Sequence, residues 1–196
     1  MNKNTIILLA VVGVLVLTVF WGIGKYNGLV GKDEAVSGQW ANVENQYQRR
    51  ADLIPNLVAT VKGYASHESE TLEGVVAARA KATQVTIDPT NLSAEKLKEY
   101  QAAQGQLSSA LGKLLMITEN YPDLKANQNF LELQAQLEGT ENRISVERTR
   151  FNESAQTYNK EIRRFPKNIL AGMFGFDKKP YFNSKAGAEN APEVKF

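Results

Sequence analysis

One stretch constrains this chain more than any other. From Thr5 to Ile23 it reads TIILLAVVGVLVLTVFWGI, nineteen residues without a charge. A helix rises about 1.5 Å per residue, so such a run reaches across a hydrocarbon core of roughly 30 Å. Trp21 lies near one end, where an amphipathic ring favours the headgroup level, and Lys3 and Lys25 bracket the run. A cleaved signal would have a shorter apolar core, about 7–15 residues, ending at a small-residue site. The following WGIGKYN makes a poor site of that kind. A buried core helix would keep a polar face, and this run has none. Residues 1–25 therefore read as a transmembrane anchor. Lys3 on one side and Lys25 and Lys32, offset by Asp33 and Glu34, on the other leave the orientation open.

Composition then removes several kinds of chemistry. There is no Cys and a single His, so disulfides, thiolate nucleophiles and multi-His metal centres are excluded, and no cofactor is expected. Lys and Arg total 23 against 21 Asp and Glu, with the two signs interleaved. That is no field for nucleic acid, which calls for a clustered basic face.

Beyond Tyr26 the apolar residues recur three and four apart. Trp40, Val43, Tyr47, Ile54, Leu57, Val61 and Tyr64 form one stripe; Leu97, Tyr100, Leu107, Leu111, Leu114 and Ile117 a second; Phe130, Leu133, Leu137, Ile144, Phe151, Ala155, Tyr158, Ile162 and Phe165 the longest. Ser66 ahead of His67-Glu68 reads as a cap, as does Asn91 or Ser93, and Pro122-Asp123 as a helix start. Phe165-Pro166 ends the last long helix, and Pro55 predicts a kink or local break. The fold class is all-α: the N-terminal transmembrane helix, then an elongated antiparallel four-helix bundle (26–166) with helices over 26–64, 66–86, 93–119 and 122–165. The first and last are long, the middle two shorter.

Short connections make neighbours antiparallel. The two long helices then pair with residue numbers totalling about 190, which sets Trp40 opposite Phe151 and Arg49-Arg50 opposite Glu141-Asn142. The membrane-proximal half becomes a two-helix stalk exposing Trp40, Phe151, Tyr158 and Phe165, an apolar surface suited to self-association. The alternative is that the middle helices reach further down. The last part of the chain, 167–196, reads as an amphipathic segment and an irregular tail from Asn183. Arg163, Arg164, Lys167, Leu170, Phe174 and Phe176 combine cationic and apolar character, as a segment lying on a lipid surface does. The alternative is that the aromatics cap the base of the bundle.

Candidate chemistry is sparse. His67-Glu68-Ser69-Glu70 has Thr71 where a zinc helix would have its second His, and reads as a helix start. No phosphate-loop, dinucleotide or nucleophile-elbow motif occurs. Arg49, Arg50, Asp52, Glu141, Asn142 and Arg143 form one charged cluster if the helices pair as above. Such a cluster fixes helix register more often than it catalyses. An enzyme or enzyme subunit using Arg50, Asp52 and Glu141 is the alternative reading. The distal corner carries His67, Glu68, Tyr121 and Asp123, which form the candidate partner surface.

The runs QRRADLIPNLVATVKGYASHE, ENYPDLKANQNFLELQAQLEGTENRI and YNKEIRRFP, with the closing APEVKF, closely resemble the LemA family. The motif positions include Arg49, Arg50, Asp52, Pro55, Tyr64, His67, Glu68, Pro122, Asn127, Glu141, Asn142, Arg143, Asn152, Tyr158, Asn159 and Pro166. The resemblance implies a bacterial membrane-anchored four-helix bundle and brings no catalytic role to any residue. The expectation is a non-catalytic structural or interaction protein, single-pass in a bacterial inner membrane. It would present its bundle to an unknown protein partner, with self-assembly at the membrane as a variant of the same reading.

Overall fold

The computed structural model describes residues 2–183 and is all-α. Helix α1 runs unbroken over Lys3–Tyr64, 62 residues or about 93 Å. The apolar run and the first bundle helix are thus one rod. Glycines lie between them, but no proline or cap residue ends the helix, and isolated glycines cost only about 1 kcal/mol each. Among the described residues nothing packs on the apolar run; its most hydrophobic window is wholly unburied, and it is long and apolar enough to cross a membrane.

Helices α2 (Ser69–Gln84) and α3 (Ala94–Thr118) follow, then a single turn α4 (Pro122–Lys125), α5 (Gln128–Ile162) and α6 (Lys167–Phe174). Two boundaries differ from expectation. Ser66 caps nothing: Glu68 N–H bonds back to Ala65 O, so a turn intervenes and α2 starts at Ser69. The expected helix over 122–165 is divided, because Asn127 Oδ1 accepts from Phe130 N–H at 3.0 Å and starts α5 afresh. Ser93 does cap α3, accepting from Lys96 N–H.

Pro55 breaks nothing. A proline in a helix leaves the carbonyl four residues earlier without its donor. That carbonyl belongs to the buried Ala51, and Arg79 of α2 supplies the missing donor, Nε to Ala51 O at 2.7 Å. The Pro55 ring itself faces outward.

The long helices pair antiparallel in the expected register. Trp40 meets Phe151 at 5.7 Å between ring centroids, and Gln39 donates to Glu147 at 2.6 Å. Two clusters make up the core. The distal one joins Ile54, Leu57 and Val61 of α1 to Leu72 and Val75 of α2, Leu107 and Leu114 of α3, Leu124 of α4 and Phe130 of α5. The proximal one centres on Trp40 and runs from Leu29 to Ile162.

The exposed stalk does not occur. Trp40, Phe151 and Tyr158 are all buried, and only Phe165 of the four is exposed. Two things cover them. Leu92, Leu97 and Tyr100, at and just before the start of α3, reach down to the proximal core, and the chain after α6 folds back over it. The surface expected to drive self-association is consumed within the molecule. The irregular tail, apart from Asn183, lies outside the described residues.

Candidate functional site

Arg50 is 2% exposed and ties the helices together. Its Nη1 donates to Glu141 Oε2 of α5 at 2.7 Å and to Ser108 Oγ of α3 at 2.8 Å. Its Nη2 donates to Gln104 Oε1 at 2.7 Å, and Gln104 Nε2 in turn donates to Ala82 O of α2. One guanidinium therefore links α1, α3 and α5 directly and α2 through Gln104. A planar fork suits that task better than a lysine. The guanidinium also lies over the Tyr47 ring, whose hydroxyl burial holds above its ordinary pKa.

The other members of the sequence cluster are elsewhere. Arg49, Asp52, Asn142 and Arg143 are all exposed, and Asp52 accepts from Gln48 on its own helix. Successive helical residues point about 100° apart, so Arg49 cannot share the inward direction of Arg50. Gln104 and Ser108 are the partners the sequence reading missed. Their signal was a glutamine four residues after Tyr100 and three before Leu107, a polar side chain on an apolar stripe. An acid–base site using Asp52 and Glu141 has no geometry here: Asp52 is outside, and Glu141 is ion-paired to Arg50.

The second construction is the strap formed by residues 176–183. Asn159 grips Lys179 by both backbone groups: Nδ2 donates to Lys179 O at 2.8 Å, and Lys179 N–H donates to Oδ1 at 2.9 Å. Asn152 grips Phe182 the same way, at 3.0 and 2.8 Å. The spacings match. Seven helical residues span about 10.5 Å, and three extended ones about 10 Å. Held so, Phe182 stacks on Trp40 at 5.8 Å and meets Phe151 edge-on at 5.4 Å. Lys179 is buried and pairs with Asp33 of α1 at 2.9 Å. Asn152 and Asn159 entered the sequence reading only through the family resemblance. Their independent signal is a pair of amides seven apart beside the α5 apolar stripe.

At the base of the bundle, Phe174 and Phe176 pack edge-on against Tyr26, at 4.9 and 5.6 Å. Tyr26 follows the apolar run directly after Lys25. Leu170 and Phe176 are half-buried; Phe165, Ile169, Met173 and Phe174 remain exposed. Arg163 is exposed, and Arg164 and Lys167 both pair with Glu161, which the Lys167 ammonium holds below its usual pKa.

At the distal corner Tyr121 Oη donates to Glu68 Oε1 at 3.0 Å, while His67 and Asp123 are exposed. Asn127 Nδ2 donates to Tyr64 Oη close by. No group of three or more potential metal ligands is gathered among the described residues.

A helix able to span a bilayer, continuous with a helical bundle and closed by a C-terminal strap, defines a single-pass membrane protein with one helical domain. The chain belongs to the LemA family, whose profile matches residues 39–196. It is similar to Magnetosome protein MamQ 2 of Paramagnetospirillum magneticum, 28% identical over 96% of this chain and 76% of that one. Magnetosome protein MamQ of Magnetospirillum gryphiswaldense is 27% identical over the same shares. Protein LemA of Metamycoplasma hominis is 26% identical over 76% of this chain and 64% of its own.

Proposed function

We propose that the protein is a non-catalytic interaction protein anchored by a single pass in a bacterial inner membrane, with its distal corner offered to a protein partner. The observation that carries this reading is the unbroken α1: one rod of 62 residues joins the apolar run to the far end of the bundle. A rod of that length holds the corner about 60 Å from the lipid, at 1.5 Å per residue beyond Ile23. Exposed His67 and Asp123 flank the Glu68–Tyr121 hydrogen bond there. At the other end, exposed Phe165, Ile169, Met173 and Phe174 beside Tyr26, with Arg163 close in sequence, support contact of α6 with the lipid surface.

Photo-crosslinking in native membranes tests the reading. A photoreactive residue at position 67 or 123 is expected to give one discrete adduct that a probe at exposed position 138 does not. Adducts only between copies of this chain would favour self-assembly at the corner instead. No adduct at either corner position, or equal adducts at 138, would overturn it.

A further inference from the structure

A groove of about 800 Å³ lies between the last turns of α5 and the strap. Lys160, Arg163 and Arg164 line it from α5, and Lys178 and Tyr181 from the strap. Its one carboxylate, Glu161, is engaged by Arg164 and Lys167. Lys160, Arg163 and Lys178 are exposed and pair with no carboxylate among the described residues; Lys178 has only the Tyr181 ring, 6.0 Å away. Cations at a helix C-terminus complement its dipole, which accounts for Lys160 and Arg163. Lys178 arrives from a different segment, so the fold gathers positive charge here beyond what the helix end calls for. The imbalance is local. Residues 160–183 hold six Lys and Arg against two Asp and Glu, an excess of four on a chain whose total is +2.

The height of the groove follows from the strap. Lys179 joins Asn159 of α5 to Asp33 of α1 and sets them at one level. Asp33 lies ten residues beyond Ile23, about 15 Å along α1, and Arg163 is a turn nearer the apolar run, about 9 Å out. The field of an anionic leaflet decays over a Debye length of about 8 Å. Arg163 is therefore within about one such length, and Lys160 and Lys178 within about two. Phe174, exposed and packed on Tyr26, lies lower still.

We propose that this groove binds the headgroups of anionic phospholipids in preference to zwitterionic ones, with Arg163, Lys160 and Lys178 facing the phosphate and Phe174 reaching the acyl boundary. The proposal rests on the single-pass reading above, which sets the groove over the bilayer. It goes beyond contact of α6 with lipid: the selectivity comes from α5 and the strap, and it is for charge.

The chain has no cysteine, so a solvatochromic probe on Gln156→Cys reports from a single place, an exposed position that lines the groove. The labelled full chain, in neutral detergent micelles, is titrated with dihexanoyl phosphatidylglycerol and, separately, with dihexanoyl phosphatidylcholine. A saturable shift is expected, with a half-point at least about fivefold lower for phosphatidylglycerol, the preference that one cation near the surface supplies. Arg163→Gln combined with Lys178→Gln should reduce that preference to about twofold or less and leave the melting temperature unchanged, since both side chains are exposed. Equal half-points for the two lipids, a preference that the double variant keeps, an equal shift from a probe at exposed position 138, or competition by free glycerol phosphate at matched ionic strength would overturn the proposal. Alkaline washing of vesicles holding the chain separates this from the reading beneath it. A chain retained without lipid preference sinks the proposal alone, whereas a chain released from the vesicles sinks both.

Discussion

Arg79 and Pro55 should be energetically coupled although they do not touch in sequence or share a charge. Pro55 strips the Ala51 carbonyl of its helical donor, and Arg79 Nε replaces it at 2.7 Å. Ala51 is 3% exposed, so water cannot easily take over. Arg79→Met keeps most of the stem and leaves that carbonyl unpaired, which costs about 1–3 kcal/mol. Pro55→Ala alone restores the N–H and removes a residue that costs a helix interior up to about 3 kcal/mol, so it should stabilise. In the Pro55→Ala background the carbonyl keeps one bond when Arg79 is lost. Arg79→Met should then cost about 0.5–1 kcal/mol. The coupling is therefore about 0.5–2 kcal/mol. Urea unfolding of the four proteins in detergent, followed by far-UV circular dichroism, reads it directly. If the double mutant is additive within about 0.5 kcal/mol, Arg79 is not serving as the surrogate donor.

Three further outcomes are expected. Asn159→Ala removes both backbone grips on Lys179 and should cost about 1.5–3 kcal/mol; in a Trp21→Phe background the Trp40 emission should shift to the red as Phe182 lifts away, and an unchanged spectrum would mean the strap holds without the asparagine. Arg50→Glu should cost at least about 3 kcal/mol, because Glu141, Gln104 Oε1 and Ser108 all face it; adding Glu141→Arg should recover only a minor part, since Glu141 is 48% exposed and Arg50 3% by side chain, and full recovery would mean that the buried and exposed ends are interchangeable. Glu161 has a lowered pKa through Lys167, so its stabilisation is complete above its ordinary 4.5 and is lost as pH falls below that through the folded value; melting temperature should drop more steeply below pH 4.5 in the native protein than in Lys167→Met, and parallel curves would count against the pairing.

The expected self-association surface shows where reading a chain by its helical stripes stops. Trp40, Phe151 and Tyr158 were correctly placed on facing helices. They looked exposed for two reasons: the start of α3, with Leu97 and Tyr100, reaches further down than the leading register had it, and the strap that completes the cover has no period to read. Strap residues 176–183 are extended and short, held by amides 20 and 30 residues away in sequence. The charged cluster failed differently. Arg49, Arg50 and Asp52 lie within one short run and Glu141, Asn142 and Arg143 within another, but a helix turns neighbours to different sides, and of these six only Arg50 and Glu141 meet. Asn127 was legible in principle, as an asparagine three residues before Phe130.

What the sequence determined alone is whatever repeats locally: an uncharged run long enough for a bilayer, three stripes at helical spacing, and helix lengths that force the two longest into one antiparallel register. Helical period and length are properties of the chain itself. The tertiary structure decided which single arginine goes inside, which side chain answers for Pro55, and what lies on Trp40. Each of those depends on a donor or acceptor arriving from a distant segment to satisfy a buried polar group or cover an apolar one, and no local pattern records that arrival.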